Sequence, residues 1–545
     1  MLSSFASAQQ RDNFWATLEG TFERTYPRYF FRAWQNGFGI NSLAYNVLLY
    51  QKGILLSTTQ LITASILSSG DSALITDYKD YQSLNEKIYK LQELNVPQSI
   101  VDSIADIAES KEKILINKSA MYRREAAIWN ITWDSVRNHL QDHQTAIEYM
   151  VAPLNDDSIM YCALLLRKNC QAPLIIPLFN ESEVASIVNT TTESHTNFTY
   201  SYVGNGMKLS QFVWSKIIPY VKQGETIYFA PSGLLHQLAI EYLPYDENHT
   251  MSDVYNMVRL SSTREIVLNK QDTEYTTATL YGGIAYDLEE DVLFAESENY
   301  AKENLLASRS IENDTLNRGN VKYLPGTKKE AESINALLMQ NNISAKLYTT
   351  AKANEESFKA LSGKHSNILH IGTHGFTWTD SVAKKQDFFA QRVQLMGQEQ
   401  HYDMSIDPLN RCGLLFAGAN IALQGNSKNL PEGVQDGILT AKEISLMDLR
   451  DANLVVLSAC ETAKGDITSE GVFGLQRAFK MAGVQTIIMS LWKVNDQATQ
   501  LLMTEFYNNW IGKHQSKREA FRNAQNTVRT RYEEAVYWAG FIMLD

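Results

Sequence analysis

Residues 367–376 read Asn-Ile-Leu-His-Ile-Gly-Thr-His-Gly-Phe. The fold follows from reading the first half of this stretch as a buried strand. Ile368 to Ile371 carry no charge, as in a central strand of a parallel sheet covered on both faces. The strand then releases Gly372, Thr373, His374 and Gly375, where open α/β sheets place their sites. Residues 453–462 repeat the form. Asn-Leu-Val-Val-Leu-Ser-Ala ends in Cys460, Glu461 and Thr462. Neighbouring parallel strands would set His374 and Cys460 side by side above the sheet.

Working outward, residues 276–545 alternate strand and helix patterns, which predicts a mainly parallel sheet with helices on both faces. "ATLYGGIAYD", "SAKLYTT" and "VQTIIMSLW" are further strands. "EGVFGLQRAFKMAG" reads as a helix, and Thr327 with Glu330 forms a capping-box pattern at another helix start. Residues 381–407 have no period and read as a long loop. Residues 143–275 form a smaller α/β unit. Its strands are "TAIEYMVA", "SIMYCALLLR", "APLIIPLF" and "ETIYFAP", and its helix is "LSQFVWSKIIPYV".

Residues 1–142 read as helical. Leu74, Tyr78, Tyr81, Leu84, Ile88 and Leu91 recur every three or four positions, and after Pro97 so do Ile100, Ile104, Ile107 and Ile114. This predicts an antiparallel hairpin serving as a scaffold or interaction arm. No 34-residue self-similarity marks a tetratricopeptide array.

At 545 residues the chain is longer than one core usually serves. The net charge of −12 argues against nucleic-acid binding. Residues 1–15 lack the basic-then-apolar layout of a signal peptide, and Gly53–Gly70 is rich in Ser and Thr, so it reads as a packed helix and not as a membrane span. The four cysteines show no CxxC spacing, which fits a reducing cytoplasm and no disulfide framework.

A thiolate at Cys460 would attack a carbonyl, and His374 would support it or protonate the departing amine. The N–H groups of Gly375 and Cys460 would face the developing oxyanion. The result is a dyad for acyl transfer, most simply peptide hydrolysis. Metal binding by His370 with His374 is disfavoured: on a strand they lie roughly 13 Å apart, at about 3.3 Å per residue. No metal and no cofactor is expected, and His370 is assigned a hydrogen-bonded role in the fold. Cys162, Cys170 and Cys412 read as small core residues. Ser232 with His236 is a weak rival, since the G-x-S-x-G elbow is absent.

These stretches, with "IYFAPSGLLHQLAIEYLP", "LPGTKKEAESI", "DPLNRCGLLFAGAN" and "DGILTAKEISLMDL", resemble the CHAT domain. That caspase-like domain, usually found beside tetratricopeptide repeats, belongs to the cysteine peptidase clan of caspases, gingipains and separase. The resemblance implies His374 as general acid/base and Cys460 as nucleophile. It also implies a degenerate caspase-like half at 143–275 and an active half at 276–545. Asp496, with Trp492 before it, matches the place of an acidic pocket wall for the residue before the cut. An N-cap role for Asp496 is the alternative. Asp436 is a further pocket candidate, with a turn role for its Asp-Gly as the alternative.

Family members act on protein substrates, and many wait for a partner or bound effector. In bacteria they are linked with antiviral defence and programmed death. The 381–407 loop is the expected gate. Relatives usually carry helical repeats upstream, so the chain is either a short member or the carboxyl-terminal part of a longer one. A catalytically silent caspase-like scaffold, acting as a binding module, is the competing expectation.

Overall fold

In the computed structural model, residues 17–52, 63–119, 130–188, 202–268, 274–303, 320–377, 408–458 and 465–545 are described, with short gaps inside some of these ranges. The strands are β1 (Gln144–Asn155), β2 (Ser158–Arg167), β3 (Leu174–Asn180), β4 (Thr226–Ala230), β5 (Asn256–Arg259), β6 (Thr277–Ile284), β7 (Ser344–Thr350), β8 (Ile368–Ile371), β9 (Gly375–Thr377), β10 (Cys412–Leu415), β11 (Ile438–Thr440), β12 (Leu454–Leu457), β13 (Gly465–Thr468), β14 (Gly471–Gly474), β15 (Thr486–Ser490) and β16 (Phe541–Leu544). Among the described residues, eleven make one sheet in the order β3-β2-β1-β4-β5-β16-β15-β12-β8-β6-β7.

Most neighbours in this sheet run parallel. The antiparallel pairs are β3–β2, β2–β1 and β15–β16. The mainly parallel sheet flanked by helices, preceded by a helical N-terminal region, is the architecture expected from the sequence. β8, β12 and β15 are buried along their whole length, which is why they read as nearly continuous apolar runs.

β16 was not legible in the sequence, yet it joins the two α/β units. It pairs with β15 on one side and, through Leu544 opposite Arg259, with β5 on the other. The two units therefore share one sheet.

Other differences have local causes. The capping box at Thr327 and Glu330 is not formed. Leu324 occupies the N-cap of helix Pro325–Gln340, with Pro325 at its first position. Thr327 instead donates to the Leu324 carbonyl at 2.8 Å and accepts the Gly283 N–H at 2.9 Å. Glu330 turns inward to His370. The helix read in 470–483 begins only at Leu475, because residues 471–474 form β14, hairpinned with β13.

Helices Ser72–Glu93 and Gln98–Ser119 flank Pro97 as expected. The second buries Val101, Ala108, Leu115 and Ile116, however, and leaves Ile100, Ile107 and Ile114 exposed. Period alone did not say which of two overlapping apolar stripes faces inward. The hairpin is tied by Lys111 to Asp80 at 2.7 Å and by Lys118 to Asp77 at 2.9 Å.

The earlier helices belong to the sheet's own packing. Phe30 and Phe31 of helix Tyr26–Gln35 and Tyr45 and Leu48 of helix Asn41–Gln51 share a core with Ala146, Met150 and Leu164. Lys52 reaches Glu148 of β1 at 2.7 Å, both side chains buried, and donates to the Ala230 carbonyl at 2.8 Å. Most of Gly53–Gly70 and all of 381–407 lie outside the described residues. Among the described residues, no helix is long and apolar enough to cross a membrane.

Candidate active site

β8 lies between β12 and β6, parallel to both, with Ile371 opposite Leu457 on one side and Tyr281 on the other. β8 and β12 therefore end at the same level. Gly372 follows β8, and its N–H donates to the Tyr281 carbonyl at 2.8 Å. A Cβ there would meet the Thr327 side chain at 2.9 Å, so the close approach of helix to strand end requires glycine.

Thr373 is fully buried. Its hydroxyl bonds the Leu415 carbonyl and the Tyr286 hydroxyl, the latter at 3.0 Å. The main chain at His374 is fixed as well, since its carbonyl accepts the Leu415 N–H at 3.0 Å. That bond makes Gly375 and Leu414 a non-hydrogen-bonded pair of the β9–β10 ladder. The Gly375 N–H consequently points away from β10.

The His374 ring packs on Tyr286 with centroids 5.1 Å apart, and Nε2 donates to the Lys322 carbonyl at 2.7 Å. The carbonyl fixes the tautomer with the proton on Nε2, which leaves Nδ1 as the basic nitrogen. Burial pushes the pKa of His374 below the ordinary histidine value, and the cation of Lys493 acts in the same direction. The bond to Lys322 and the charge of Asp496 oppose this without reversing it. His374 is thus a fixed, neutral imidazole at neutral pH. Cys460 lies outside the described residues, the last described residue of its strand end being Ser458.

Asp496 opens helix Asp496–Tyr507, but the N-cap is Asn495, whose side chain accepts the N–H groups of Gln497 and Ala498 at 3.0 and 3.2 Å. The N-cap alternative for Asp496 therefore falls to its neighbour. The Asp496 carboxylate crosses to the first turn of helix Pro325–Gln340 and accepts the Gly326 N–H at 3.0 Å. This supplies a side-chain acceptor that Leu324 cannot. Asp496 is half-buried and stands close enough to His374 to raise its pKa.

Trp492 and Asp436 are placed elsewhere. The Trp492 indole is 1% exposed, packs on Tyr202 and donates to the Val536 carbonyl at 3.0 Å, so it offers no surface to a substrate in this arrangement. Asp436 is also 1% exposed and accepts the Ile438 N–H at 2.9 Å in the turn its Asp-Gly suggests. Gly437 there has φ +78°, a left-handed conformation that favours glycine.

Sequence reasoning missed what holds this turn. Lys359 sits between Glu355 and Glu443, each at 2.7 Å, while Glu355 and Glu356 accept the N–H groups of Gly437 and Gln435. Burial raises the Glu355 carboxyl well above its ordinary range, and Lys359 opposes the shift. No sequence signal marks this cluster, because Glu355, Glu356 and Lys359 share one helix while Glu443 and the turn at 435–437 lie far along the chain.

His370 lies within β8 and faces helix Pro325–Gln340. Its Nε2 lies 2.8 Å from Glu330 and its Nδ1 3.4 Å from the Tyr507 hydroxyl, all inside the protein. Cys162 and Cys412 are buried and Cys170 half-buried, all three as free thiols, and burial pushes the Cys162 thiol up to about 12. Ser232 donates to the Tyr149 carbonyl at 2.7 Å, and burial lowers His236 to about 3, so this pair has no poised base. Among the described residues, no group of three or more His, Cys, Asp or Glu could hold a metal ion.

Comparison with known proteins adds the family. Tetratricopeptide repeat protein 28 of Mus musculus is 34% identical over 111 residues, and that of Homo sapiens 30% identical over 113. Each match covers 20% of this chain and 4% of the relative, so the chain matches only a small fraction of those relatives' length. Among solved structures, the Arg-specific cysteine proteinase gingipain R aligns with TM-score 0.33 and 8% identity, covering 66% of this chain and 68% of that one. The Saccharomyces cerevisiae separase–securin complex aligns with TM-score 0.39 and 10% identity, covering 92% and 35%. The CHAT domain model matches residues 205–544. With more than half of its length matched, the chain belongs to the CHAT domain family.

Proposed function

We propose that the protein is a cysteine endopeptidase of protein substrates, with Cys460 as nucleophile and His374 as general acid/base. One observation carries this reading. A neutral imidazole stands at the end of β8 with Nε2 tied to the Lys322 carbonyl, beside the strand that leads to Cys460. In this scheme Nδ1 takes the thiol proton, and the thiolate adds to the scissile carbonyl. Nδ1 then returns the proton to the leaving amine, and water hydrolyses the thioester with His374 as base. The Gly375 N–H, turned out of its ladder, and the N–H of Cys460 would take the oxyanion.

The half-buried Asp496 beside His374 suits a cationic residue before the cut. A reducing cytoplasm would keep Cys460 a thiol, and a protein or effector partner would complete the site. The test is cleavage of a peptide library by the wild type, Cys460→Ala and His374→Ala. The reading expects cleavage by the wild type alone, after Arg or Lys. Cleavage that persists in Cys460→Ala contradicts it. A lack of cleavage by all three, even with added partners, supports the silent scaffold.

A further inference from the structure

Residues 24–32 read Arg-Thr-Tyr-Pro-Arg-Tyr-Phe-Phe-Arg, arginines interleaved with aromatic rings. They run from the π-helical turn Thr21–Thr25 into helix Tyr26–Gln35. Phe30 and Phe31 are buried against the sheet. The outer face carries Arg24, Arg28 and Arg32, which with Gly20, Thr25 and Tyr29 line an open groove of about 480 Å³. That volume falls within the range of small-ligand sites, about 300–1,000 Å³. Tyr29 is 57% exposed in the middle of the arginines.

Arg28 is pinned, its Nε donating to the Pro153 carbonyl at 2.8 Å. Among the described residues, no carboxylate forms an ion pair with Arg24, Arg28 or Arg32. Three arginines one helical turn apart, with Cβ atoms about 6 Å from one to the next, therefore repel one another, and no described carboxylate is paired to any of them. In a chain of net charge −12 this local concentration calls for an anion.

We propose that this groove binds a nucleotide or a short single strand of nucleic acid. Arg24 and Arg32 fork its phosphates, and its base stacks on Tyr29. The planar guanidinium matches phosphate through paired hydrogen bonds, and an exposed ring between cations is how proteins hold unpaired bases without reading them. The overall negative charge that argues against a general basic footprint leaves room for this local one. An acidic protein segment would satisfy the charges but give Tyr29 no role.

The probes are tripolyphosphate, ATP, a labelled single strand of about ten nucleotides and a poly-glutamate peptide, titrated against the full chain. Arg24→Glu with Arg32→Glu should weaken ATP or strand binding at least about tenfold, and rising salt should weaken the wild type. Tyr29→Ala should weaken ATP and the strand by about fivefold or more, through loss of base–aromatic stacking, but leave tripolyphosphate unchanged. The stronger of ATP and the strand identifies the source. Arg24→Gln with Arg32→Gln, checked by thermal unfolding, serves if charge reversal prevents folding. The proposal is overturned if no nucleotide probe binds or if neither arginine pair variant alters binding. Poly-glutamate binding as well as ATP with no effect of Tyr29→Ala would also overturn it, in favour of an acidic protein partner.

Discussion

At the scale of single residues, the neutral state of His374 decides what the site can do. Burial lowers its pKa in the folded chain, so the native state holds fewer protons than the unfolded state between that value and about 6.5. The neutral base thus persists below the ordinary histidine range. The acid limb of kcat/KM should have its midpoint under pH 6.5, and a pH profile with a midpoint at 7 or above would contradict this. Asp496→Asn removes a charge that raises His374, so the limb should move lower still. The same variant should lower kcat/KM for substrates with Arg or Lys before the cut by about tenfold or more, with apolar substrates changed far less. Equal losses across substrates would remove Asp496 from the pocket.

The Thr-His-Gly context singled out His374 at once, because a strand end followed by glycines is a local signal. The use of Asp496 was not readable, since it depends on a helix that begins with residue 325. Trp492 lies within the same short motif, yet its side chain points into the core.

At the scale of elements, helix Pro325–Gln340 organises the site. Lys322 just before it holds His374, Gly326 holds Asp496, Thr327 holds Gly283, and Glu330 meets His370. A Cβ at Gly326 would lie 2.2 Å from the Asp496 carboxylate. Gly326→Ala should therefore displace Asp496, destabilise the fold by about 1–3 kcal/mol and reduce cleavage after basic residues. Denaturant unfolding and steady-state kinetics read the two effects, and a variant with wild-type values in both would disprove the cradle. The sequence pattern around Thr327 looked like a cap because its spacing was right. Tertiary partners claimed both side chains instead. β9, β10 and β11 were too short for any periodicity to show.

At the scale of the whole molecule, the single sheet is the feature the sequence hid. The core strands of each unit were visible as apolar runs, whereas the four-residue β16 that unites the units was not. The N-terminal residues read only as a helical region ahead of the sheet, and nothing in the pattern showed that Lys52, at the end of helix Asn41–Gln51, is buried against Glu148. Lys52→Met should leave that carboxylate buried without its cation and cost about 3–5 kcal/mol, measured by denaturant unfolding. A cost below about 1 kcal/mol would show that the helices are not integral to the sheet.

The central claim is a covalent one, that Cys460 attacks and His374 moves the proton. It is tested most directly by intact-protein and peptide mass spectrometry after reaction with a slowly hydrolysed ester of a basic peptide, in the presence of any activating partner. The account predicts an acyl group on Cys460 in the wild type, none in Cys460→Ala, and in His374→Ala formation slowed by about a hundredfold or more. An acyl group on another residue, or one formed at an unchanged rate without His374, would contradict it.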